Sequence, residues 1–296
     1  MWGLSYLATK TALLDMGPFE LAAARMSLAA VLFLPMFLRR RAALTRREQI
    51  LLGLLGVTLY SVLFNLGLVE GRATDAGFIQ ASTPAVTALL AIPFLRERAR
   101  PITWLGIGVS TAGVMALVLG TTARGTGSAK GDLFIVGSVL AWSIYSIYAR
   151  RLSRRIEHVA ITSTTLVVGT LLLVPPTFIE LSVVTPRLTP PTIVAILYSG
   201  LMAVALGYLL WSYGLARVPA AVATVYLNLL PVIAAASGAI ALGERLGTNE
   251  VVAGIVIITG VVLATLSERG GVGPHPTRAR DVDLAYSRDV WGGNSS

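Results

Sequence analysis

Residues 192–216 read TIVAILYSGLMAVALGYLLWSYGLA, twenty-five consecutive positions without a charged side chain. At 1.5 Å per residue a helix of that length reaches about 38 Å, more than the ~30 Å hydrocarbon core of a bilayer. A helix apolar on every face belongs in lipid or deep inside a large protein. Composition decides between the two, because apolar residues make up 55% of the 296-residue chain and charged residues only 13%. Soluble domains carry about 25% charged residues. Too few polar groups remain here to coat a water-facing surface, so the solvent for most of it is lipid.

Working outward, apolar runs recur at about 18–38, 49–69, 74–95, 101–120, 131–149, 159–181, 219–242 and 249–267, with a shorter one at 1–14. Charged or Pro/Gly breaks separate them, as at Asp15-Met16-Gly17-Pro18, Arg39 to Glu48, Glu70 to Asp75 and Arg96 to Pro101. The expected fold is an all-α integral membrane protein of ten transmembrane helices. The first run covers only about 21 Å, so a completing segment upstream of Met1 is expected. No basic leader of a cleavable signal peptide precedes it. From Ser267 the composition turns to Gly, Pro, Arg, Asp and Ser, and residues 268–296 read as a disordered cytoplasmic tail.

Basic residues set the orientation. With the N-terminus inside, thirteen arginines fall in cytoplasmic loops: Arg39, Arg40, Arg41, Arg46, Arg47, Arg96, Arg98, Arg100, Arg150, Arg151, Arg154, Arg155 and Arg217. The opposite loops hold five cations, Arg72, Arg124, Lys130, Arg187 and Arg245. Both termini are therefore expected in the cytoplasm.

The chain also repeats itself. An offset of 140 residues sets Trp2 on Trp142, Lys10 on Arg150 and Pro35 on Pro175; an offset of 147 sets Gly67-Leu68 on Gly214-Leu215, Pro84 on Pro231, Glu97-Arg98 on Glu244-Arg245 and Gly113-Val114 on Gly260-Val261. The two copies span residues 1–120 and 131–267. Five helices per copy is an odd number, so the copies insert with opposite orientation around a central cavity. Inverted repeats accompany alternating access in secondary transporters.

The residues that repeat also carry a family likeness. Trp2-Gly3 with Lys10, Arg25, Gly67, Thr83-Pro84 followed by Glu97, Gly214, and Leu230-Pro231 followed by Gly243-Glu244-Arg245 resemble the EamA-like family of the drug/metabolite transporter superfamily. The resemblance covers residues 2 to about 266. It implies ten helices in two inverted five-helix repeats and inner-membrane transport, most simply export, of metabolites or drugs. It also implies a monomeric functional unit. The short first helix departs from the family pattern.

Substrate sites in such folds lie near the bilayer midplane between the repeats. The polar and aromatic side chains at such depths are Trp2, Tyr60, Asn65, Gln80, Trp142, Tyr145, Tyr208, Trp211, Tyr226 and Asn228. Each serves a substrate or an interhelical contact equally well at this level. Lys10 and Arg25 lie at similar depth, and with Glu20 near the start of the second span they form an expected charge cluster on the external side, structural, gating or anion-binding in role. Pro84 and Pro231 remove backbone hydrogen bonds inside their spans and are hinge candidates. Gly106, Gly113, Gly254 and Gly260 read as close helix contacts. No carboxylate sits at mid-span, which argues against a central proton relay.

Other classes lack raw material. There is no cysteine, and the two histidines, His158 and His275, cannot build a catalytic zinc site, so no metal or cofactor is expected. No Gly-x-Ser-x-Gly elbow or P-loop is present, which leaves an integral membrane enzyme a remote alternative. The net charge of +9 resides mostly in short loops, where topology explains it better than nucleic acid does. The expected partners are a small-molecule substrate and the bilayer. Phosphorylated or nucleotide-linked sugars are an alternative substrate class.

Because the chain has no cysteine, single introduced thiols report orientation directly. An impermeant thiol reagent added to intact cells should label Ser128→Cys and spare Ala42→Cys; the reverse pattern would invert the topology.

Overall fold

The computed structural model describes residues 2, 8, 12–70, 73–97, 99–120, 128–182, 185–233, 236 and 247–269. Among these, no strand occurs. The helices are α1 (Pro18–Arg40), α2 (Arg46–Gly53), α3 (Tyr60–Glu70), α4 (Ala73–Gln80), α5 (Thr83–Leu95) and α6 (Pro101–Gly120). They continue as α7 (Ala129–Leu152), α8 (His158–Leu181), α9 (Pro190–Tyr198), α10 (Gly207–Leu215), α11 (Ala220–Val225) and α12 (Thr248–Arg269). Five stretches are long and apolar enough to cross a bilayer: Pro18–Ala43, Arg46–Gly67, Ala129–Leu152, His158–Leu181 and Pro190–Leu215. Shorter apolar helices occupy Thr83–Leu95, Pro101–Leu117, Ala220–Ile233 and Val251–Leu266. The short first run lies largely outside the described residues, as do Lys10, Glu244, Arg245 and the tail from residue 270.

Large apolar side chains such as Leu133, Leu171, Phe178, Ile179 and Ile255 stand more than half exposed. On a water-facing protein such a surface would aggregate; on this one it is the lipid face. Inside, hydroxyls stay satisfied by turning back on their own helix. Ser138 donates to the Ile135 carbonyl, Ser146 to Trp142, Thr165 to Ile161 and Thr177 to Leu173, at 2.7–3.0 Å. That local bond lets Ser and Thr occupy a helix interior where water is absent.

Helices from the first half of the chain pack mainly on helices from the second. α1 and α2 lie against α8, α3 against α7, α5 against α7 and α11, and α6 against α12. The α6–α12 contact is backbone to backbone. A Cβ added to Gly260 would stand 2.3 Å from the Ser110 nitrogen, and one on Gly106 2.5 Å from the Ala264 nitrogen. With no hydrophobic effect to drive helices together in lipid, such close approach supplies the dispersion energy that holds them.

Two long helices are interrupted by wider π turns, at Leu54–Leu59 between α2 and α3 and at Ser199–Leu206 between α9 and α10. The offset of 147 that aligns Pro84 with Pro231 in sequence also carries the first π segment into the second.

The fourth predicted run, read as one helix over 74–95, divides at Ala81–Ser82. Ser82 and Thr83 hydroxyls take the Ile79 and Gln80 carbonyls, each at 2.6 Å, and close the end of α4. Pro84 therefore falls in the first turn of α5, where its missing N–H is no loss. It starts a helix instead of bending one, which corrects the expectation of a mid-helix hinge. The equivalent stretch of the second half narrows to a 3₁₀ turn at Tyr226–Leu229, and Pro231 sits in the helical run that follows. Of the glycines expected at close contacts, Gly254 meets only Val232, at an ordinary 3.7 Å.

Gly260→Leu should push α12 off α6 and lower the thermal midpoint of the detergent-solubilised protein, by the equivalent of about 1–3 kcal/mol for overpacking. Gly108, with nothing within 4 Å of an added Cβ, is the control. An unchanged midpoint in Gly260→Leu would show that the contact carries no stability.

Candidate substrate site

Spacing of three residues puts Trp142 and Tyr145 on one face of α7, and Tyr208 and Trp211 on one face of α10. The two faces meet. Ring centroids of Trp142 lie 5.3 Å from Tyr145, 5.8 Å from Tyr208 and 5.5 Å from Trp211. Tyr60, the first residue of α3, comes within 5.1 Å of Trp142, with Phe64 stacked behind it at 5.9 Å. Trp2 joins from the N-terminal run, 6.0 Å from Trp142, 6.5 Å from Tyr208 and 5.7 Å from Trp211. Six of the ten residues singled out in the sequence thus form one cluster with rings tilted or edge-on, the arrangement that aromatic quadrupoles favour at about 0.5–1.5 kcal/mol per pair.

The π turns make this possible. A π turn widens the helix and shifts its hydrogen-bond register. The Tyr208 hydroxyl donates to the Gly56 carbonyl at 2.7 Å, and the Trp2 indole N–H donates to the Ala203 carbonyl at 2.5 Å. Gly56 belongs to the first π segment and Ala203 to the second. They are separated by the same 147 residues. Each half thus accepts an aromatic donor from the other at an equivalent position.

Several polar atoms in the cluster stay sealed without a protein partner among the described residues: the indole N–H groups of Trp142 and Trp211, the Tyr145 hydroxyl and Ser212 Oγ. Tyr145 faces Ser212 and Thr165 but misses hydrogen-bond geometry with both. Buried donors of this kind call for a ligand or water. Arg25 approaches the same cluster from α1, within electrostatic reach of Tyr60 and Tyr208. Lys10, one member of the expected cluster with Glu20 and Arg25, lies outside the described residues. Glu20 is engaged elsewhere, accepting from the Gly17 N–H at 3.1 Å and donating its own N–H to Glu180 at 2.6 Å.

The remaining candidates lie away from the aromatic cluster. Asn65 donates to the Pro18 carbonyl at 3.2 Å, Gln80 to Ser138 at 3.1 Å and Asn228 to Ser110 at 2.9 Å. Each ties one helix to another. Tyr226 is nearly half exposed and accepts from Thr265 at 3.0 Å on the outer surface. Apolar periodicity is blind to this difference, because lipid-facing and protein-facing positions are both apolar.

Polar clasps close the two ends of the cluster. On the side of the arginine-rich loops, Arg96 takes the left-handed conformation (φ 57°) and ends α5, delivering Glu97 to the seam. Glu97 accepts from Arg150 Nε at 3.1 Å, Arg154 at 3.5 Å and the Ala220 N–H at 3.3 Å, while Arg150 also donates to the Leu215 carbonyl at 2.7 Å. A space of about 130 Å³ lies beside Glu97, lined by Ala88, Ala91, Thr103, Pro219, Ala221 and Val222 among others. At the other end Asp15 accepts from the hydroxyls of Thr189, at 2.6 Å, and Thr192. Those bonds, with Arg187 nearby, hold its carboxyl below the usual range against a smaller opposing effect of burial. Lys130 pairs with Glu70 at 2.8 Å.

Apolar patterning reveals neither Glu180 as the cap of α1 nor the two π turns. No local signal marks a π turn.

A solved crystal structure that is 22% identical superposes with a TM-score of 0.78, covering 90% of this chain and 93% of that one, and shows the same fold. An "Uncharacterized transporter" of Archaeoglobus fulgidus is 26% identical over 275 residues, 90% of this chain and 94% of that protein. A "Probable terminal-alkyne amino-acid exporter" of Streptantibioticus cattleyicolor is 29% identical over 273 residues, 88% of this chain and 89% of its own length. The model of the EamA-like transporter family matches residues 1–119 and 129–266. With nearly the whole sequence matched in two successive copies, the chain belongs to the EamA-like transporter family.

Proposed function

We propose that this family member is a secondary transporter, most simply an exporter, that carries small metabolites across the inner membrane by alternating access. In this reading ten helices form two inverted repeats, residues 1–120 and 131–267, both termini face the cytoplasm, and the functional unit is a monomer. The observation that carries the proposal is the exchange of aromatic donors between the π segments, Tyr208 to Gly56 and Trp2 to Ala203. Each contact crosses between the halves, so relative movement of the halves must break or re-form it. Interrupted helices at the repeat interface are where secondary transporters place their substrate and coupling-ion sites.

The chemistry of the cluster favours an amphiphilic substrate. Aromatic faces suit an apolar body, the indole N–H groups of Trp142 and Trp211 suit acceptor atoms, and Arg25 suits a carboxylate. An apolar amino acid has this combination, and one relative is named for amino-acid export. Phosphorylated or nucleotide-linked sugars fit less well, because a multiply charged phosphate wants several cations, and Arg25 is the one guanidinium the described residues bring to the cluster.

The test is solute flux from proteoliposomes preloaded with amino acids, nucleobases and sugars, with the released compounds identified by mass spectrometry. Selective efflux is expected. Trp142→Ala and Tyr208→Ala should each reduce it about tenfold or more, since about 1.4 kcal/mol of lost contact is a factor of ten. Full efflux in both variants, with the protein shown to be folded, would move the site elsewhere.

A further inference from the structure

α1 and α8 run side by side, and their two ends are built differently. At the end expected in the cytoplasm, Arg40 of α1 forms an ion pair with Glu157, the residue that caps α8. The offset of 140 residues converts Arg40 into Glu180 and Glu157 into Gly17. The opposite end therefore brings a carboxylate, not a guanidinium, to the start of a helix. Glu180 Oε2 accepts the Glu20 N–H at 2.6 Å. Its carboxylate lies so close to Gly17 that a Cβ there would be 2.5 Å from Glu180 Cδ. Glu20, itself only 3% exposed, is the second carboxylate at the same helix start. Its Oε2 accepts the Gly17 N–H, and its Oε1 is sealed with no partner. The two side chains lie within electrostatic range of each other.

Two carboxylates at one helix start, one buried and one partly buried, repel when both are ionised, and the α1 N-terminus offers only partial positive charge against them. One proton added to the pair removes the repulsion. Resting on the transporter reading above, we propose that Glu20 and Glu180 form a proton-binding site shared between the two halves of the chain, and that its occupancy links proton concentration to their movement.

Among the described residues, the other charges around this joint do not provide the missing neutralisation. Asp15 precedes α1 and is held by Thr189 and Thr192, with Arg187 beside it. Arg25 stands about 7.5 Å further along α1, engaged with Tyr60 and Tyr208. α3 contributes an uncharged amide, Asn65, to the Pro18 carbonyl. Lys10 lies outside the described residues. When the halves close at this end the pair is buried together and keeps its proton; when they part, each carboxylate meets water and the proton leaves. Acid on the non-cytoplasmic side thus favours closure there and slows substrate release.

Infrared titration of the protein in lipid tests the site without any substrate, so its failure is separable from failure of the transport reading. On titration from alkaline toward acid pH, wild type should gain the carbonyl band of a protonated carboxylic acid, shifted in deuterium oxide and lost again on raising the pH. The band should be altered or missing in both Glu20→Gln and Glu180→Gln, each checked for folding by its thermal midpoint. In flux measurements wild-type efflux should slow several-fold as the external side is acidified, and Glu180→Gln should lose that dependence. A wild-type spectrum without such a band, or a band unchanged in both variants, would overturn the proposal.

Discussion

In hydrocarbon no water waits to complete a hydrogen bond, so every backbone N–H and C=O in the span must be satisfied by the chain itself. That constraint orders the rest of the structure. It selects helices as the secondary structure seen, turns buried Ser and Thr hydroxyls back onto their own helices, and makes every irregularity in a helix a site that needs a partner. The two π turns are such irregularities, and a carbonyl in each accepts an aromatic donor, Tyr208 or Trp2, from the opposite half of the chain. The aromatic cluster then gathers around those two donors, because the side chains that satisfy the carbonyls bring their rings with them.

How far this was legible in sequence follows from the same physics. Length and apolarity pointed to an all-helical membrane protein, and five of the expected runs form helices long enough to cross a bilayer. Six of the ring-bearing residues singled out lie together. What stayed hidden depended on register or on partners. A π turn costs one residue of register and has no composition of its own, so Leu54–Leu59 reads as ordinary helix. Tyr226 and Tyr208 look equivalent in an apolar run, yet one reaches the outer surface and the other the centre. Glu180 looked like a helix terminus because the helix it caps is separated from it by 160 residues.

The glycine at position 17 shows how such a cap is encoded without a motif. A side chain there would collide with the Glu180 carboxylate, so the sequence Asp15-Met16-Gly17-Pro18 does more than break a helix: its glycine clears the space and its proline starts α1. The same reasoning separates Gly106 and Gly260, where backbones touch, from Gly254, where an added methyl would meet only ordinary contact.

The distribution of polar groups bears on how such a molecule changes shape. Exposed ion pairs contribute only about 0–1 kcal/mol each, and Lys130 with Glu70 is of this kind, so water replaces the lost partner at little cost. Glu97 and Arg150 keep less than a fifth of their side-chain surface exposed, so their clasp is held more firmly. At the centre, separating Tyr208 from Gly56 would leave a buried hydroxyl without its acceptor, a loss that water or a ligand offsets. In the alternating-access reading proposed above, rearrangement at the centre is therefore tied to occupancy of the site, and that tie would couple the movement of the halves to a bound molecule.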